Sequence, residues 1–101
     1  MEIEETPPER PFILAKCRMK SGMVAEVRVL DLSIVGCMIA REAISFEVDG
    51  RVLVRLPGLE YMPSKVLWIE DGLVGIEFER DLHDAVYDRL MPSLRPAARA
   101  A

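Results

Sequence analysis

Asp31-Leu32-Ser33-Ile34-Val35-Gly36 is the stretch of this chain in which residue types and spacing assemble a chemical site. On extended backbone a carboxylate and a hydroxyl two residues apart project to the same side, offering two acceptors and a donor. That pattern complements the Watson–Crick edge of guanine, whose N1–H and exocyclic amine both donate. Gly36 either supplies a positive φ or lets a flat ring approach the backbone. The same residues also spell an ordinary turn, in which Asp31 and Ser33 bond their own backbone and Gly36 marks a bulge.

The other candidates carry less. His83 stands at the start of a helical stretch with no acid or nucleophile at a catalytic spacing, and reads as a solvated helix residue. Trp68, the single tryptophan, reads as core filling, with a place beside a ligand pocket as the alternative. Asp81, Asp84 and Asp88 recur near helical spacing as a solvated face. Arg28, Arg51 and Arg55 point outward from strands, either as paired surface charge or as a basic face for a partner. Cys17 and Cys37, with one histidine in the chain, cannot complete a four-ligand zinc site. They read as small buried hydrophobes in a reducing, cytoplasmic compartment. The sequence holds no P-loop, nucleophile elbow, metal motif or paired-carboxylate site. It therefore reads as a binding module with no cofactor and no metal, and not as an enzyme.

A β-framework must hold the Asp31–Gly36 turn. From Phe12 the pattern is period two, with Ile13, Ala15, Cys17 and Met19 on one face and Lys16, Arg18 and Lys20 on the other. Ser21-Gly22 turns the chain into a second strand with Ala25, Val27 and Val29 inward, and Cys37 to Ala40 forms a third. The stretch from Arg41 to Gly50 has no clear period. Arg51 to Leu56 is a fourth strand ended by Pro57-Gly58, and Ser64 to Glu70 a fifth. Asp71-Gly72 is a strong hairpin signal leading into a sixth strand, Leu73 to Glu79. Leu82, Val86 and Leu90 then recur at helical spacing, so Asp81 to about Met91 reads as an amphipathic helix capped by Asp81 and stopped by Pro92. Six short strands and tight turns predict a closed antiparallel barrel, since closure removes exposed edges. Residues 1–9 read as a flexible tail, 10–91 as the domain and 92–101 as a second flexible tail.

Composition narrows the partners. Half of the 101 residues are apolar, enough for a core. Apolar runs stay far below the roughly 20 residues that span a bilayer, and Met1–Glu5 is acidic where an export signal is basic. Membrane insertion is therefore not expected. A net charge of −4 argues against DNA or RNA as a ligand. The first nine residues carry four glutamates and no base, so the rest of the chain is nearly neutral, and a small, specific anion suits it.

Val27-Arg28-Val29-Leu30-Asp31-Leu32-Ser33-Ile34-Val35-Gly36-Cys37-Met38-Ile39 resembles the central signature of PilZ domains. Lys65 to Phe78, with its Asp71-Gly72 turn, resembles the closing hairpin of that family, and the helix from Leu82 to Met91 completes the likeness. The resemblance implies a bacterial protein with a six-stranded β-barrel and a C-terminal helix. It implies a ligand, cyclic di-GMP, and a signal passed to a partner protein. A chain this short leaves no room for an output domain, so that partner is expected to be a separate effector. By the same resemblance Asp31 and Ser33 read the guanine edge, Gly36 permits close approach, and Arg10 contacts phosphate or stacks.

The family also places an R-x-x-x-R motif before the first strand, where planar guanidinium groups clamp phosphates and stack on guanines. Here Arg10 occupies one of those places, but Thr6 and Leu14 stand four residues to either side of it. Losing one charge-assisted contact costs roughly 1.5–3 kcal/mol, a weakening of about ten- to a hundredfold. Two functions follow: a cyclic di-GMP-binding adaptor, or a degenerate domain that has lost the nucleotide and acts through protein contacts alone.

Overall fold

Alternating apolar residues build six strands: β1 (Ile13–Arg18), β2 (Val24–Leu32), β3 (Gly36–Ala40), β4 (Arg51–Arg55), β5 (Met62–Glu70) and β6 (Leu73–Phe78). A helix, α1 (Asp84–Leu90), and a 3-10 turn, Met91–Leu94, follow. In the computed structural model, which describes residues 10–41 and 45–95, the strands close into an antiparallel barrel in the order β1-β2-β3-β6-β5-β4. Closure comes from β1 pairing with β4, Cys17 opposite Val54. Every strand thus has a neighbour on both sides, and the expected barrel with its C-terminal helix is the fold. The stretches expected to be tails fall outside the described residues at 1–9 and 96–101.

One face of each strand fills the interior. Ile13, Ala15 and Cys17 of β1 meet Val27 and Val29 of β2, Val52 and Val54 of β4, and Val74, Ile76 and Phe78 of β6 in one core. Phe46, from the stretch without a clear period, joins them. Asp71 and Gly72, with φ of 49° and 78°, make the predicted tight hairpin between β5 and β6. Among the described residues no helix is long and apolar enough to cross a membrane.

Two bulges break the alternation, and both re-aim residues toward one outer face. Val29 opposes Ile39 and Asp31 opposes Met38, so Leu30 is the extra residue of β2. Val66 opposes Ile76 and Trp68 opposes Gly75, so Leu67 is the extra residue of β5. An inserted residue flips the side chains beyond it to the other face. Trp68 therefore leaves the core it was expected to fill and lies on the outside, 37% exposed, beside Leu67 at 44%.

The C-terminal segment also departs from expectation. The helix begins at Asp84, and its cap is His83, whose Nδ1 accepts from the Ala85 N–H at 3.0 Å, not Asp81. Leu82 is held short of the helix because its N–H donates to the Ile34 carbonyl at 2.7 Å. Pro92 does not release the chain into a tail. It sits in the first turn of the 3-10 segment, where a missing N–H costs nothing, and Leu94 is buried in the core beside Leu82 and Leu90.

Candidate functional site

The turn from Ser33 to Gly36 is tied by its own residues. The Ser33 N–H donates to the Gly36 carbonyl at 2.9 Å. Its hydroxyl oxygen accepts from the N–H groups of Val35 and Gly36, both at 3.2 Å, and lies 3.4 Å from the Gly36 carbonyl, to which it donates. Asp31 Oδ1 accepts from the Leu32 N–H at 3.0 Å. The alternative of a self-bonded turn is thus realised, yet both side chains stay exposed, with acceptor capacity left over. Two carbonyls anchor the turn from behind. That of Val35 accepts from Phe78 at 2.8 Å, and that of Ile34 accepts from Leu82, linking the turn to the end of β6 and to the entry of α1.

Gly36 does not supply the positive φ that was one of the two purposes expected of it. Its φ is not positive, since the positive-φ glycines of the described residues are Gly22, Gly58 and Gly72. It is needed because β3 presses on β6: a Cβ at this position would sit 2.1 Å from the Ile76 carbonyl oxygen. Gly75 answers a similar demand from the other direction, for a Cβ there would be 2.2 Å from the indole ring of Trp68. The ring lies over the bare backbone of β6.

Beside these glycines lies an open groove of about 290 Å³ on the outer face of the barrel. One wall is the turn, with Asp31, Ser33 and Val35, and the other is Leu67 and Trp68, with Met38, Gly75 and Glu77 along the floor and rim. Register explains the grouping. Asp31 is opposite Met38, Met38 opposite Gly75, and Gly75 opposite Trp68, so one row across four strands joins the motif to the tryptophan. Among the described residues the lining includes two carboxylates, Asp31 and Glu77, and no lysine or arginine.

Arg10 is exposed and precedes β1, which starts with Ile13 opposite Val29, close to the end of β2 that carries Asp31. It does not line the groove. Of the arginines weighed as a basic face, Arg51 pairs with Glu79. Arg55 bonds the Leu59 carbonyl at 3.0 Å and faces the ring of Tyr61, and Arg28 stands over Phe12.

Residues 9–91 match the PilZ domain. The chain belongs to the PilZ family. PilZ domains generally bind cyclic di-GMP and act in signalling, and the match spans the barrel, the Asp31–Gly36 turn and α1. A comparison with curated proteins gives no match.

Sequence reasoning located one wall of this groove and, on the other, offered Trp68 only as an alternative to core filling, without Leu67 or Glu77. Trp68 reaches it only through the bulge in β5. A signal for that bulge was present: a two-residue Asp71-Gly72 turn sets Ile69 opposite Val74, which puts Leu67, not Val66, opposite Ile76 unless one residue is skipped. Cys17 and Cys37 are free thiols facing the core. Burial raises Cys17 to about 11, and burial with the nearby Cys17 raises Cys37 to about 12. Among the described residues no group of three or more His, Cys, Asp or Glu could hold a metal ion.

Proposed function

We propose that this PilZ domain is an adaptor that binds cyclic di-GMP in the groove between the Asp31–Gly36 turn and Trp68, and so changes its hold on a partner protein. The reading is carried by an exposed carboxylate and hydroxyl facing an exposed indole across an open groove. A guanine base stacks on Trp68 while its N1–H and amine donate to Asp31. The phosphates lie outside the cation-free lining, toward Arg10. Titration calorimetry of the folded protein with cyclic di-GMP, at low and moderate salt, tests this. Saturable binding that weakens with salt is expected, and Asp31→Ala and Arg10→Ala should each abolish it. Unchanged affinity in both variants would reject the site.

A second reading, a PilZ domain that works through protein contacts without nucleotide, is favoured by two observations. Among the described residues no lysine or arginine lines the groove, and the second arginine of the R-x-x-x-R pattern is missing. No heat at high ligand concentration would select it.

A further inference from the structure

We infer that the groove receives an arginine side chain from a partner protein, carried on a segment with aliphatic neighbours. The inference goes beyond the nucleotide reading and stands on the lining alone. Asp31 and Glu77 both supply negative charge to the lining, and among the described residues no lysine or arginine lines it. Lys65 is opposite Glu77 on the neighbouring strand, and among the described residues no ion pair joins the two. Trp68 adds an exposed indole to the same lining, with Val35, Leu67 and Met38 as apolar surface. Val35 is 49% exposed and Leu67 44%, so the groove offers apolar surface that a ligand can cover.

An arginine satisfies all of these groups together. Its guanidinium is flat and weakly hydrated, stacks on an indole face, and donates in a fork to carboxylates. Its aliphatic stem and the flanking residues cover Val35 and Leu67. An acidic peptide is disfavoured by the same two carboxylates. A lysine offers only a point charge, without the plane that matches Trp68.

Trp68 is the only tryptophan, so its emission reports occupancy directly. The probe is a capped leucyl-arginyl-valine tripeptide, titrated without nucleotide, so that the result is independent of cyclic di-GMP binding. A saturable change in emission is expected. It should be roughly tenfold tighter than for the citrulline analogue, the ratio a charge-assisted bond produces, and tighter than for the lysine analogue. Asp31→Asn and Glu77→Gln, each checked for native circular dichroism, should weaken it several-fold. The inference is overturned if arginine and citrulline peptides respond alike, or if the response survives both substitutions. A concentration-dependent emission shift of the protein alone would place a second copy on the groove and overturn it equally.

Discussion

Replacing Gly36 or Gly75 by alanine adds the same methyl group at two close approaches with different neighbours. At position 36 the new Cβ meets the Ile76 carbonyl oxygen at 2.1 Å, when ordinary contact begins near 3.4 Å. That oxygen belongs to the β6 backbone, so β3 and β6 must part by more than an ångström around the pairs Gly36–Glu77 and Cys37–Ile76. Two weakened ladder bonds at about 1 kcal/mol each, with about 1–3 kcal/mol of overpacking strain, give a loss of roughly 3–5 kcal/mol. A small domain holds only about 5–15 kcal/mol in total, and its Tm falls by about 4–8 °C per kcal/mol. At position 75 the Cβ meets the indole of Trp68, a side chain already 37% exposed that swings outward. The expected loss there is about 1 kcal/mol, near the lower end for overpacking. Urea and thermal unfolding followed by circular dichroism measure both. Gly75→Ala should also red-shift the native Trp68 emission, which Gly36→Ala should leave alone until the protein unfolds. A Gly36→Ala protein within about 0.5 kcal/mol of the parent, or a Gly75→Ala protein less stable than it, would refute the view that rigid backbone, against movable side chain, sets the cost.

Leu94→Ala should cost about 2–4 kcal/mol by urea unfolding, since Leu94 is a core residue; a change within error would return it to a loose tail. Trp68→Ala should weaken cyclic di-GMP by about tenfold or more in calorimetry, the worth of one stacked base, without unfolding the barrel. The raised thiols make stability fall at alkaline pH. Their folded values of about 11 and 12 exceed the ordinary 9.0, so the contribution is complete below pH 9 and is lost as pH climbs toward 11–12. A Cys17→Ala, Cys37→Ala protein should show a shallower decline in urea midpoint over that range, and an identical slope would count against buried thiols as the cause.

The barrel was legible because its signals are local: alternation in β1 and β4, the Asp71-Gly72 turn, and a change of period at Leu82. The motif half of the groove was legible for the same reason, since Asp31, Ser33 and Gly36 lie in a single turn. The other half depends on strand register, a relation between segments that no single stretch displays. Val66 and Trp68 look like one face until β6 dictates that Leu67 be skipped. Asp81 is a good capping type, but a backbone bond from Leu82 to Ile34 delays the helix and hands the cap to His83. Pro92 stops an α-helix, yet the tighter 3-10 turn accepts it, and the demand of the core for Leu94 decides the outcome.

The strand order has a kinetic consequence. The β1–β2 and β5–β6 hairpins join neighbours in the chain, whereas the two seams pair Cys17 with Val54 and Cys37 with Ile76. Bringing such distant segments together pays loop-closure entropy before any contact returns it, so topologies rich in distant pairs fold slowly. Until β4 has docked, the far edge of β1 is an open template for pairing with another chain. Substitutions around Asp71-Gly72 should therefore slow folding, and Val54→Ala on the β1–β4 seam should instead speed unfolding.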